Sequence, residues 1–258
     1  MSTTSLSLCY WSNLRAGRSF SRHCYKAGFF VLALLSAVLY VAPPAHGQVI
    51  GFYKNTHVTI TGNSIAHFQA PFAMLEFPAI LSQNVDIWGI DGAPCSMVFQ
   101  LVLPLVPANT DVLVLIDSTN DIKNGIPVDQ HMSCIENTIS VLLARKPALK
   151  IVVANTPPWT EFNPCTSMNR DHSIVDAIEA YNSAYVDPNH GLQALWPHNV
   201  RVADVFTPAA LPSGWANPQY MAGPCGVHPG QEFQWSASWA HFAAGYEPLV
   251  MAAVQGRW

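Results

Sequence analysis

The run Val112-Leu113-Val114-Leu115-Ile116 is unbroken by any polar residue. A strand with one face in water alternates apolar and polar side chains, because successive side chains point to opposite faces. An unbroken run is therefore expected where both faces of a sheet are covered, as in a central parallel strand between helical layers. Strands are expected at His57–Thr61, Val85–Trp88, Asp111–Ile116, Lys150–Ala154 and Val200–Ala203. Helix-compatible stretches lie between them, near Ser64–Leu81, Pro94–Leu103, Asp129–Ala144 and Ser173–Val186, with a last helix over Gln231–Gln255. Strand–helix alternation without internal repeats predicts an α/β fold with a doubly wound sheet.

The first 47 residues read differently. Arg15, Arg18, Arg22 and Lys26 precede an apolar run from Ala27 to Ala42, which Pro43-Pro44 break. Ala45-His46-Gly47 then offers small residues before Gln48. This is the pattern of a secretory signal peptide over residues 1–47, leaving 48–258 as one domain. A retained membrane anchor is the alternative, although the 16-residue run is shorter than the roughly 20 residues that span a bilayer. Secretion or export to a periplasm is the expected localisation, without stable membrane insertion once the leader is cleaved.

Charge narrows the partners. Four of the 12 Lys+Arg lie in the leader and all 16 Asp+Glu lie after it, so the remainder carries 8 − 16 = −8 with His neutral. Such a surface repels polyanions, so no nucleic-acid partner is expected. No Cys-x-x-Cys pair and no His-Glu-x-x-His motif occurs, which gives a zinc site little support.

Four polar or glycine-rich segments fall at the predicted strand ends. They are Thr61-Gly62-Asn63-Ser64-Ile65, Gly89-Ile90-Asp91-Gly92, Ser118-Thr119-Asn120-Asp121 and Gly226-Val227-His228-Pro229. In an open α/β sheet, sites form beyond the carboxyl ends of the strands. Ser64, at a strand-to-helix turn, has the placement of a nucleophile. Each residue also has a plainer reading. Ser64 suits a helix N-cap, Gly92 an ordinary turn, Asn120 a turn asparagine, and His228 is one of eight histidines after residue 47.

Taken together, the order Ser64, Gly92, Asn120, His228 resembles the four blocks of the SGNH (GDSL-type) hydrolase family. The resemblance spans about residues 57–245, and its specificity lies in order and spacing. Softer matches are Asn155-Thr156-Pro157-Pro158 after the fourth strand, Ala180-Tyr181-Asn182, and Ala203-Asp204. It implies a three-layer, flavodoxin-like fold with about five parallel strands. It also implies a serine esterase without cofactor, acting on small-molecule or glycan esters. Ser64 would be the nucleophile and His228 the base. The Ser64 N–H, Gly92 N–H and Asn120 amide would hold the oxyanion, each such donor contributing about 3 kcal/mol.

The chain departs from the family at three positions. Asn63 replaces its usual Asp, Ser118 its usual Gly, and Cys225 the acid three residues before the histidine. That acid orients the imidazole and stabilises its charged form. A backbone carbonyl or water holding the ring is one substitute, and Asp91 or Asp171 is another. A slow or inactive, carbohydrate-binding relative is the remaining reading.

Cys95, Cys134, Cys165 and Cys225 lie outside the leader, and an even number in an exported chain predicts two disulfides. Of three pairings, Cys165–Cys225 with Cys95–Cys134 is favoured. Cys165 follows the fourth strand and Cys225 precedes His228, so both are expected in loops at one edge. Tryptophans are numerous, and Trp159 and Trp215 fall in loops expected near the site, where indole faces stack on sugars or line acyl pockets.

Overall fold

The computed structural model describes residues 53, 55–68, 84–221, 223–230 and 235–258. The expected leader lies outside the described residues, as do residues 69–81 of the helix expected over Ser64–Leu81 and residues 231–234 of the one expected over Gln231–Gln255. Five strands form one sheet: β1 Val58–Gly62, β2 Val85–Gly89, β3 Val112–Ile116, β4 Lys150–Ala154 and, after a short hairpin described below, a last strand Val200–Ala203. Every pairing in this sheet is parallel. The order is β2, β1, β3, β4, then the last strand. β1 and β3 are neighbours in register, with Gly62 opposite Ile116. This is the doubly wound flavodoxin-type order, whose switch point lies between β1 and β3.

The apolar run behaves as its composition requires. All five residues of β3 are buried. Val112, Val114 and Ile116 face one core, with Val58 and Ile60 of β1 and Val152 of β4. Leu113 and Leu115 face the other, with Ile151 and Val153. Helix α1 Ser64–Phe68 follows β1, and α2 Cys95–Met97 follows β2. Two helices open after β3, α3 Thr119–Lys123 and α4 Val128–Arg145. Ile135, Ile139 and Leu142 of α4 cover the Leu113–Leu115 face. Beyond β4 comes a two-stranded antiparallel hairpin, β5 Phe162–Asn163 and β6 Met168–Asn169. Helix α5 Ser173–Val186 and the short α6 Leu192–Leu195 lead into the last strand, β7. After it come α7 Pro218–Met221, α8 Trp235–Ala243 and α9 Glu247–Val254. Trp239 and Phe242 of α8 and Val250 of α9 close the Val112–Ile116 face. Helices thus cover both faces of the sheet. Among the described residues, no helix is long and apolar enough to cross a membrane.

Two expected helices differ from the sequence reading. The segment expected over Pro94–Leu103 is helical for only three residues, then widens into a π-turn at Val98–Val102 and ends as a 3-10 turn at Leu103–Leu105. Pro104 has no N–H to continue an α-helical ladder. The single last helix is two helices. Gly245 separates α8 from α9, and a Cβ there would come within 2.8 Å of the Asp204 carbonyl oxygen. Pro248 then opens α9 at its first turn, where a missing N–H costs nothing.

Candidate active site

The turn after β1 is built for close approach. Gly62 has φ +145°, and a Cβ on it would sit 1.8 Å from the Ile116 carbonyl oxygen. That carbonyl accepts the Asn63 N–H at 3.0 Å. Asn63 Oδ1 accepts the Ile65 N–H at 2.9 Å, which satisfies one of the free amides at the start of α1. Asn63 therefore caps the helix, the task its position offers, and leaves Ser64 as the first helical residue. Ser64 is 6% exposed. Its Oγ lies 2.8 Å from His228 Nε2, across 164 residues of sequence. Proton transfer between nucleophile and base needs about this distance.

Gly92 and Asn120 lie at the neighbouring strand ends. The Ile90 N–H donates to the Gly62 carbonyl at 3.1 Å, which ties the turn after β2 to the serine turn. Gly92 is exposed, with φ +71°. Asn120 is buried in the first turn of α3, and its Nδ2 donates to the Ala93 carbonyl at 3.0 Å. A carboxamide nitrogen carries two N–H donors, and this bond uses one. The same bond fixes the carboxamide plane beside Gly92.

His228 sits on a loop held from several sides. Its carbonyl accepts the Gly223 N–H at 3.0 Å, and the Phe68 ring meets its imidazole edge-on at 5.4 Å. Cys225, at the position of the family's acid, is bonded to Cys165 of the β5–β6 hairpin. The Gly226 carbonyl accepts the Thr160 N–H at 2.9 Å. Arg170, at the end of the hairpin, donates to the carbonyls of Cys225 and Thr160 and lies over the Trp159 ring at 5.6 Å. Cys225 and Gly226 both have positive φ, +55° and +64°. A Cβ on Gly226 would collide with Thr160 Oγ1 at 1.8 Å, so the hairpin can press against the loop only where a glycine stands. For Cys225, positive φ is a conformational cost of order 1 kcal/mol, offset by the surrounding ties. The two acids weighed as substitutes are engaged elsewhere. Asp91 pairs with His67 at 2.8 Å, and Asp171 accepts the Ser173 N–H.

A buried polar network behind Asn120 escaped the sequence reading. Asp121 accepts the Cys95 N–H at 3.1 Å and bonds His131 Nδ1. His131 Nε2 meets the Tyr185 hydroxyl at 2.5 Å. Asp117, at the end of β3, is also buried, and neither carboxyl oxygen has a hydrogen-bond partner among the described residues. Burial, reinforced by the charge of Asp121, pushes its pKa well above the usual carboxylate value. Burial likewise raises Tyr185. Only Asp121 had a signal in the sequence, its place beside Asn120. His131 is one polar residue on the inner face of α4, and nothing local marks its partners.

The second disulfide, Cys95–Cys134, joins α2 to α4. Donor atoms of Cys95, Asp121 and His131 lie within 4.8 Å of one another. That sulfur is consumed in the disulfide and offers no thiolate, so this trio does not suit a metal. The two tryptophans expected to present faces are buried, Trp159 to 4% and Trp215 to 7% exposure. Trp159 instead packs with Ile122, Ile178 and Tyr181.

The fold is that of the SGNH (GDSL-type) hydrolases. Solved structures similar to this chain include a Streptococcus pneumonia protein provisionally assigned as a platelet activating factor. It is 19% identical, with TM-score 0.60, over 86% of this chain and 98% of that one. A GDSL-like lipase from Bacteroides thetaiotaomicron matches at 19% identity and TM-score 0.55, over 90% and 98%. A carbohydrate esterase family 3 protein from Talaromyces cellulolyticus matches at 18% and 0.56, over 78% and 99%. No protein-family model matches the chain, and a search among curated proteins finds no match.

Proposed function

We propose that this chain is an exported serine esterase that hydrolyses carboxylic esters through a Ser64–His228 dyad. The observation that carries the reading is the 2.8 Å contact of Ser64 Oγ with His228 Nε2 at the carboxyl edge of the sheet. His228 takes the Ser64 hydroxyl proton as Oγ bonds to the ester carbonyl carbon. The oxyanion so formed is held by the Ser64 and Gly92 N–H groups and the Asn120 amide. Collapse breaks the bond to the alkoxy oxygen, which receives the proton from His228 and leaves as alcohol. Water, deprotonated by His228, then attacks the acyl-enzyme, and the acid departs from Ser64 Oγ. No cofactor enters these steps. Two of the structural neighbours, a GDSL-like lipase and a carbohydrate esterase, agree on ester chemistry and differ on substrate. Glycan O-acetyl groups and lipid or aryl esters are the candidate substrates. Export is supported by the leader pattern and by two disulfides.

Hydrolysis of 4-nitrophenyl acetate by the purified protein tests the reading. Ser64→Ala is expected to lower kcat by about 10⁴-fold or more while moving the thermal midpoint by less than about 2 °C. Full activity in this variant would remove Ser64 from the mechanism. A non-catalytic carbohydrate-binding relative is the second reading, favoured by Cys225 at the acid position. It predicts no activity in the parent protein and binding of sugars without turnover.

A further inference from the structure

A cavity of about 480 Å³ opens between the β5–β6 hairpin and residues 211–218. Phe162, Pro164, Leu211 and Trp215 supply its apolar walls, and Gly226 closes one side. Among the described residues, Glu161 is the one charged residue that lines it. Arg170, the nearby cation, has its guanidinium turned to backbone carbonyls. A carboxylate or phosphate would find no counter-charge among the described lining residues, whereas an uncharged apolar group would lose water against the apolar walls. The rim is apolar as well, with Phe162 51% and Leu211 40% exposed. Trp215 is too buried to offer an open face to a sugar ring.

The cavity touches the His228 loop through Gly226. Gly226 precedes His228 by two residues, at most about 7 Å of chain. In the reaction proposed above, the alkoxy oxygen takes its proton from His228, while the carbonyl oxygen turns towards Asn120 and Gly92. The alcohol group therefore leaves on the His228 side, where Gly226 joins the His228 loop to the cavity. We infer that the cavity is the leaving-group subsite and that the substrate is an ester of an apolar alcohol. The inference rests on the esterase reading and goes beyond it by naming the alcohol.

The test compares ethyl, hexyl and 2-phenylethyl acetate, and separately ethyl acetate with ethyl hexanoate, on the purified protein. Each buried methylene raises kcat/KM by at most about fourfold. Hexyl acetate is expected to exceed ethyl acetate by at least about tenfold, and ethyl hexanoate to gain much less. Phe162→Ala and Leu211→Ala, both at exposed positions, are each expected to lower the hexyl-to-ethyl ratio by about threefold or more. A ratio near one, a ratio unchanged in both variants, or a gain that follows the acyl chain overturns the subsite and leaves the esterase standing. Absence of hydrolysis on every ester, with Ser64→Ala indistinguishable from the parent, overturns the esterase reading and the subsite with it.

Discussion

The two halves of the candidate dyad are held by different means. Ser64 stands at the end of β1, and its place follows from a strand ladder, a tight Gly62 turn and an Asn63 cap. Its ties are backbone hydrogen bonds and a near-neighbour cap, among them the pairing of β1 with β2 and β3. His228 lies on a loop with two left-handed residues and, among the described residues, no flanking strand. It is held by a disulfide 60 residues long in sequence, by Arg170, and by Thr160. The first region is rigid because the sheet is rigid. The second is only as ordered as its cross-links, and these stand where the usual acid is missing.

Breaking the cross-link should have the largest effect. Replacing Cys165 and Cys225 together by Ser is expected to lower stability by about 4 kcal/mol in the chain-entropy model. Replacing Cys95 and Cys134, which close 39 residues, should cost a similar amount. The comparison sharpens in the kinetics. At a temperature where both variants remain folded by circular dichroism, the 165–225 variant should lose kcat more than the 95–134 variant. Equal activity losses would dissolve the distinction between the two regions.

Asn120→Ala probes the sheet side. It should lower kcat by about 10²- to 10³-fold with little change in KM, because an oxyanion donor acts in the transition state. A tenfold rise in KM at constant kcat would assign Asn120 to substrate binding instead.

Arg170→Ala probes the loop side more gently. Loss of its bonds to the Cys225 and Thr160 carbonyls is expected to cost about tenfold in kcat. Arg170→Lys should restore only part of this, since an ammonium cannot span two carbonyls with a planar fork. A positioning role also predicts a shifted pH–rate profile in Arg170→Ala, which a purely structural loss would leave in place.

The smallest effect is expected at Asp117. Burial and then the charge of Asp121 push its carboxyl pKa well above the ordinary value in the folded protein. The folded state therefore keeps a proton that the unfolded chain releases above the ordinary value of 3.8. Stability is fully present below that pH and falls as pH rises towards the folded-state pKa. Asp117→Asn removes this penalty, so its thermal midpoint should gain on the parent as pH rises from 4 to 8. A constant difference across that range would show that Asp117 does not titrate out of step with the unfolded chain.

The parts of this molecule that local physics dictates were legible in the sequence. Val112–Ile116 had to be covered on both faces, and the strands Lys150–Ala154 and Val200–Ala203 run over the residues their composition marks. Ser64, Gly92 and Asn120 stood out as candidates because turn residues at strand ends are set by neighbours in the chain. What only the tertiary structure decided depends on groups far apart in sequence. The break at Gly245 comes from the approach of Asp204. The burial of Trp159 comes from Ile122 of α3 and Ile178 and Tyr181 of α5, which pack on it. The network of Asp121, His131 and Tyr185 joins three elements, and Arg170 reaches Cys225 across 55 residues. Residue type can say that a histidine or an arginine needs partners. Only the packed chain, which removes water from around them, decides which partners those are.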